Sequence, residues 1–339
     1  MTHEVMLFNS DKRFSVQDGE SVLDAALRAG IALAHDCRMG GCGTCRVRLL
    51  EGTVSYEDEP FGLTPEEAAD GYALACQARA HSALVIEPGM SEAMPEPRRY
   101  SAVVREVQPL CGSVNHLLLD VEGDTPPLYL AGQYMNVHLD DGTVRSFSMA
   151  SAPNGMRIDF HVRRVPGGNF TDRKLARLRA GDRFDITLPL GAFHYRSADY
   201  RPLIFVGTGT GLAPMRSIMQ SLMDDPDCPP VALYWGMRDE ADLYLDEEVR
   251  SWGQRLYDFQ YVPVLSRPGP GWNGRSGYVQ QAVVADFGSL EEHALYLCGA
   301  PAMIRDARQL FLAHGASAAH IYTDSFSFAH ELAGEQAAA

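Results

Sequence analysis

The sequence predicts a multidomain chain: a small α+β module, then an antiparallel β-barrel, then a doubly wound α/β domain built on a parallel sheet. Three observations carry this reading. The hydrophobic pattern changes character twice along the 339 residues. A stretch from Pro88 to Pro97, with three prolines and no periodicity, separates the first section from the second. From Arg201 onward, apolar strand-like runs alternate with helical stretches. The boundaries follow as 1–90, a linker at 91–98, 99–198, 199–328, and a small polar tail at 329–339 that is expected to be disordered.

The first section opens with two strand candidates, Val5 to Phe8 and Arg13 to Val16. Ser21 then stands as a helix N-cap with Asp24 where a capping-box acid belongs. Val22, Leu23, Ala26 and Leu27 form one apolar face, and Gly30 is placed to end the helix. Arg46 to Leu50 and Ala83 to Ile86 read as further strands. Cys37, Cys42 and Cys45 fall between the helix and the first of these strands, and Cys76 between the two strands. Cys37, Cys42 and Cys45 are spaced x4 then x2, and Cys76 follows about thirty residues later, which is the plant-type spacing for a 2Fe-2S cluster. Small residues surround the loop (Gly40, Gly41, Gly43, Thr44), so backbone N–H groups can turn toward sulfides and thiolates. A zinc site also takes four thiolates, but it usually pairs them as two C-x2-C units rather than crowding three into nine residues. Single-electron transfer is the function this loop predicts.

The second section shows short alternating runs at Ala102 to Val107, His116 to Val121, Tyr134 to Leu139, Arg157 to Val162 and Arg183 to Leu188, separated by Gly, Pro and Asp turns. One helix is predicted over roughly Asp172 to Leu178. In the third section, Leu203 to Val206, Ala232 to Trp235 and Ala294 to Leu297 read as buried parallel strands. Gly207-Thr208-Gly209-Thr210-Gly211, followed by Leu212-Ala213-Pro214, sits between strand and helix. There glycines let backbone approach a pyrophosphate, and a helix start offers N–H groups to it.

Composition narrows the function classes. No stretch approaches twenty apolar residues and the N-terminal residues form neither a basic nor an apolar leader region, so a cytoplasmic protein is expected, without membrane insertion. Seven cysteines, three of them scattered at Cys111, Cys228 and Cys298, suit a reducing compartment. A formal charge of −15 argues against nucleic acid as a partner.

Taken with the cysteine spacing, residues 3–90 resemble the plant-type ferredoxins, whose fold is a β-grasp; Leu74-Ala75-Cys76-Gln77 is similar to their fourth-ligand segment. Arg145-Ser146-Phe147-Ser148 and Pro166-Gly167-Gly168-Asn169-Phe170-Thr171 match, in order and spacing, the two flavin motifs of the ferredoxin-NADP reductase superfamily, and this resemblance covers residues 100–326. It implies that Arg145 pairs with the FAD pyrophosphate, that Phe147 lies against the isoalloxazine, and that Ser148 bonds near flavin N5. The family usually has tyrosine at Phe147. By the same resemblance Gly168 to Thr171 serve the second phosphate, and His161-Val162-Arg163 run beside the flavin. Trp235-Gly236-Met237-Arg238, Cys298-Gly299-Ala300-Pro301-Ala302-Met303 and Tyr322 to Phe326 resemble the nicotinamide-nucleotide segments. Thr210 and Cys298 would flank the reacting nicotinamide carbon, and Phe326 would cover a flavin face until nicotinamide displaces it. From the residues alone, Cys298 reads equally well as a small buried hydrophobe ending a strand.

The acidic run Asp239, Glu240 and Asp242 disfavours a 2′-phosphate and so favours NADH, against which Arg238 stands. The module order resembles reductase components of bacterial multicomponent oxygenases, those of Rieske-type aromatic ring hydroxylases above all. That resemblance implies electron flow from NADH to FAD to the cluster. The cluster would then serve a terminal oxygenase or an intermediate ferredoxin, with the reductase acting as a monomer. Di-iron monooxygenases and a deoxysugar dehydrase use the same modules. A flavin reductase with a zinc-stabilised docking domain is the reading from another class.

Overall fold

The computed structural model describes residues 2–35, 38, 40–41, 43–60, 62–88 and 95–326. Cys37 and Cys42, residues 91–94 of the linker and the 329–339 tail lie outside the described residues. By contact density the chain forms two compact units, residues 1–93 with 323–339, and residues 94–322.

The first unit holds strands β1 (His3–Leu7) and β2 (Arg13–Val16), helix α1 (Val22–Arg28), strands β3 (Arg46–Glu51) and β4 (Val54–Ser55), helix α2 (Pro65–Ala69), and strands β5 (Tyr72–Leu74), β6 (Arg79–Ala80) and β7 (Leu84–Pro88). Five strands form one sheet in the order β2-β1-β7-β3-β5, in which β1 and β7 run parallel and the other pairs antiparallel. The helix starts where the sequence places it. Asp24 N donates to Ser21 Oγ at 3.0 Å, Ser21 Oγ donates back to the Asp24 carboxylate at 2.7 Å, and Gly30 takes a φ of +71° at the end. Leu23, Ala25 and Ala26 turn inward to meet Val5, Leu74 and Ile86 in one core. This is the β-grasp arrangement.

The second unit begins with β8 (Arg98–Pro109), β9 (Val114–Val121), β10 (Tyr134–His138), β11 (Val144–Ser148), β12 (Arg157–Arg163) and β13 (Arg183–Leu190). They pair antiparallel in the order β11-β10-β13-β8-β9-β12. A bridge from Met149 to Phe160 brings the two end strands together and curls the sheet toward closure. The predicted helix over Asp172 to Leu178 is present but begins three residues earlier and is not α-helical. The chain instead makes a wide turn at Asn169–Lys174, of the i to i+5 type, and a tight one at Leu175–Arg177. The cause is local: the Asp172 carboxylate accepts from Gly167 N and Arg164 Nε, while the Gly168 carbonyl accepts from both Asp172 N and Arg173 N.

The α/β part follows with β14 (Leu203–Thr208), α3 (Leu212–Leu222), β15 (Val231–Met237), α4 (Asp246–Ser251), β16 (Phe259–Leu265), β17 (Arg275–Ser276), α5 (Val279–Asp286), β18 (Ala294–Gly299), α6 (Pro301–Ala313) and β19 (Ile321–Ser325). The sheet order is β17-β16-β15-β14-β18-β19, and the pairs from β17 through β18 are parallel. Strand β16 escapes a reading of sequence because Pro263 argues against a central strand. It is tolerated here because one edge of β16 is paired only at Val264 and Leu265. Among the described residues no helix is long and apolar enough to cross a membrane.

Candidate functional site

Within the second unit, the C-terminal ends of β14, β15 and β18 lie side by side, with Thr208 opposite Gly236 and Gly207 opposite Cys298. Open parallel sheets bind ligands at this edge. The turn Gly209–Gly211 leads from β14 into α3. It is pressed onto β18: a Cβ on Gly211 would stand 2.3 Å from the Cys298 carbonyl oxygen, and one on Gly299 would stand 2.2 Å from Thr208 Oγ1. Trp235, fully buried, donates its indole N–H to the Gly209 carbonyl at 3.0 Å, which holds the turn from the β15 side. Thr208 and Thr210 remain half-buried. Cys298 is fully buried as the penultimate residue of β18, Pro214 is buried in the first turn of α3, and Met303 belongs to the core beneath α6. Pro301 begins α6. Phe326 directly follows β19 and is half-buried.

The glycine-rich turn meets the barrel at the end of β12, where an Arg163 guanidinium nitrogen lies 3.5 Å from the Cβ position of Gly209. Every residue from Ile158 to Val162 is buried. Ile158, Phe160 and Val162 belong to the barrel core. His161 points to the other face and meets Tyr244, with Nδ1 3.2 Å from the phenol oxygen. Burial, helped by the nearby Arg216 cation, lowers the His161 pKa to about 3, so this imidazole is neutral. Burial likewise pushes the Tyr244 phenol upward.

On β11, Ser148 is buried and Phe147 half-buried, its ring 5.0 Å from Phe160 and 5.3 Å from Phe170. Arg145 turns a guanidinium N–H to the Val144 carbonyl at 2.7 Å, and Ser146 donates to Asn136 at 2.7 Å. In the second motif a Cβ on Gly168 would meet Thr171 Oγ1 at 2.4 Å, so glycine is required there. Gly167 takes φ +79°, and its N–H, like the Asp172 carboxylate that accepts it, is already used. Phe170 is a core residue, and Asn169 donates to Asp141. What is left for an anion is the first-turn N–H set of Asn169, Phe170 and Thr171, together with the Thr171 hydroxyl and Arg145. That donor set suits a diphosphate.

The acidic run after β15 divides. Asp242 accepts from the Ser113 hydroxyl of the barrel at 3.0 Å. Arg238, Asp239 and Glu240 are exposed, and Glu240 lines a cavity of about 410 Å³ together with Tyr261, Trp272 and Arg275. Nothing in the local sequence pattern marks Asp159, Arg216 or Tyr244, which join barrel to α/β sheet.

In the first unit Cys45 and Cys76 are both buried, and Ala75 N donates to the Cys45 carbonyl at 3.0 Å. Tyr56 lies near enough to both thiols for their charge to raise its pKa, although burial is the larger cause. Arg38 sits at φ +57°, pairs with Asp24, and accepts Gln77 Nε2 on its carbonyl at 2.8 Å. Gly62 N donates to the Gly40 carbonyl at 2.7 Å, and a Cβ on Gly62 would strike the backbone of Gly40, Gly41 and Gly43. Neighbouring segments thus brace the loop's backbone, and two buried thiols lie beside it, an environment that fits a thiolate-bound cluster.

These features define an oxidoreductase that carries an iron–sulfur module, a flavin barrel and a nicotinamide-nucleotide domain. Comparison with known proteins agrees. Family descriptions match at residues 6–81 (2Fe-2S iron-sulfur cluster binding domain), 101–195 (oxidoreductase FAD-binding domain) and 205–309 (oxidoreductase NAD-binding domain). The chain is 35% identical over 332 residues to the terephthalate 1,2-dioxygenase reductase component 2 of Comamonas sp, covering 96% of this chain and 98% of that protein. It is 32% identical to the CDP-6-deoxy-L-threo-D-glycero-4-hexulose-3-dehydrase reductase of Yersinia pestis, covering 96% and 99%. The crystal structure of a cytochrome P450 reductase from Amycolatopsis superposes with a TM-score of 0.72 at 33% identity, covering 96% and 98%. The chain belongs to the family of ferredoxin-fused, ferredoxin-NADP-reductase-like iron–sulfur flavoprotein reductases.

Proposed function

We propose that this protein is the NADH-dependent reductase component of a multicomponent oxygenase, of the Rieske-type aromatic ring-hydroxylating class. It would deliver electrons to the terminal oxygenase or to an intermediate ferredoxin. The observation that carries the reading is the full-length match to a dioxygenase reductase component. The apposition of the Gly209–Gly211 turn and the barrel strand ends within one compact unit supports the chemistry.

FAD, when bound, takes up electrons in a pair and releases them singly, which reconciles a two-electron nicotinamide donor with one-electron metal acceptors. Arg145, the N–H groups of Asn169 to Thr171 and the Thr171 hydroxyl would hold its diphosphate. Ser148 would hydrogen-bond the reactive edge of the ring and Phe147 would pack against the ring. Thr210 would position the nicotinamide. Cys298, which is enclosed, would act through the carbonyl that buttresses Gly211 rather than by direct contact. Cys37, Cys42, Cys45 and Cys76 would ligate the cluster. Asp239 and Glu240 would repel a 2′-phosphate and so select NADH.

The test is Cys42→Ser. It should abolish NADH-driven cytochrome c reduction and leave ferricyanide reduction through the flavin intact; equal loss of both would refute the electron order. The 32% identity to a dehydrase reductase favours a second reading, in which the acceptor is a deoxysugar dehydrase. Reconstitution with each class of acceptor separates the two.

A further inference from the structure

Helix α3 does more than follow the glycine-rich turn. One side of it is hydrogen-bonded to three successive residues just beyond Ser148. Arg216 Nη1 donates to the Ala150 carbonyl at 2.7 Å, Ser217 Oγ donates to the Ser151 carbonyl at 2.6 Å, and Ala152 N donates to Gln220 Oε1 at 3.0 Å. Positions 216, 217 and 220 share a helical face, so a single surface reads the backbone of 150–152. The anchoring is deep: Ser217 is fully buried and also accepts from Gly132 N at 3.3 Å. The Arg216 guanidinium continues to Glu248 at 2.6 Å and to Asp159 at 3.4 Å, and Asp159 is met by His116 at 2.8 Å. Thus Arg216 touches the barrel, the segment after β15 and the helix that carries it.

We infer that Arg216, Ser217 and Gln220 form a clasp that fixes the separation between Ser148 on the barrel and Thr210 on the glycine-rich turn. Arg216 is then a positioning residue for electron entry from nicotinamide to flavin. Each lever is short: Ser148 lies two residues before Ala150, and Thr210 six residues before Arg216, across the first turn of α3. With so little chain between clasp and site, a shift in one transmits to the other, and a misplacement of about 1 Å can cost on the order of a hundredfold in rate. The inference rests on the roles proposed for Ser148 and Thr210.

The test uses the full-length holoprotein as Arg216→Met, which keeps the aliphatic stem and removes all three polar contacts, the milder Gln220→Ala, and Ser148→Ala. Four quantities are read: the perturbation of the oxidised flavin's visible band by added NAD⁺, the single-turnover rate of flavin bleaching by NADH with its primary deuterium isotope effect, the FAD content, and Tm. Arg216→Met should weaken the band perturbation, slow bleaching by about tenfold or more and raise the isotope effect, at unchanged FAD content. Gln220→Ala should move the same readouts in the same direction by a smaller amount. It decides the matter if Arg216→Met does not retain FAD. Lower Tm with the band perturbation, rate and isotope effect unchanged in both variants would mean that the contacts are packing alone, and the clasp would be overturned. If Ser148→Ala bleaches at the wild-type rate, the site reading beneath the clasp fails. If Ser148→Ala slows and Arg216→Met does not, the site reading stands and the clasp alone falls.

Discussion

Gly211→Ala isolates the effect of space at the glycine-rich turn, because Gly211 has φ −58° and ψ −14°, which any residue adopts. The added methyl would lie 2.3 Å from the Cys298 carbonyl oxygen, 2.7 Å from its carbon and 3.1 Å from Gly299 N, all backbone atoms of β18. No side chain can rotate away to relieve this. Turn and strand must part by about 1 Å to reach ordinary contact. Overpacking of this kind costs about 2 kcal/mol, which for a unit the size of 94–322 corresponds to a fall in Tm of about 4–8 °C. The functional effect should be larger than the structural one, because Thr210 moves with the turn. Stopped-flow bleaching of the flavin by NADH should slow by about a hundredfold. Calorimetry and stopped flow on Gly211→Ala, with Gly112→Ala as control, make the comparison clean, since nothing lies within 4 Å of a Cβ at Gly112. Bleaching at the wild-type rate with unchanged Tm would show that the turn is not held against β18 as described.

Two further outcomes follow from the electrostatics. His161 and His194 are buried, burial being the first cause in each case, and are lowered to about 3 and about 4. The unfolded chain therefore takes up protons near pH 6.5 that the folded chain refuses. The stability due to their neutrality is complete above that pH and lost as pH falls toward the folded values, at about 1.4 kcal/mol per pH unit for each histidine. Tm should hold steady above pH 7 and decline below 6.5, less steeply in His161→Phe; a flat profile down to pH 5 would contradict the burial of both rings. For the nucleotide, Asp239→Asn combined with Glu240→Gln should raise the kcat/KM ratio of NADPH to NADH by roughly 3–10-fold, as expected for removing two exposed charges. An unchanged ratio would place the discrimination elsewhere.

How much of this was legible in the sequence depends on whether a residue's partner is local. The cap at Ser21 and Asp24 and the stop at Gly30 are satisfied within a few residues, and the structure agrees with the sequence there. Strands of the barrel and of the parallel sheet were visible where one period dominates. Pro263 hid β16, and the turn at Asn169–Lys174 departs from α-helical geometry because Asp172 and Gly168 bond within the loop in a way composition does not encode. The motif residues divide by burial: Arg163 and Thr208 to Thr210 keep accessible surface, whereas Val162, Phe170 and Met303 are enclosed in the cores.

Strand β12 shows the physical origin of that division. A barrel strand with one wet face alternates, yet Ile158 to Val162 are buried without interruption, because α3 and the Tyr244 segment cover the outer face that Asp159 and His161 present. In the sequence, His161 is marked only by the resemblance that sets it beside the flavin, and Asp159 is not marked at all. Their partners, His116, Arg216 and Tyr244, come from another strand and from segments more than fifty residues downstream. A buried charge such as Asp159 is retained only if cations and donors surround it, since unpaired it would cost several kcal/mol. The polar residues at alternate positions of β12 are therefore the trace, in one strand, of a second domain packed against the first. That packing is what brings the glycine-rich turn to the barrel.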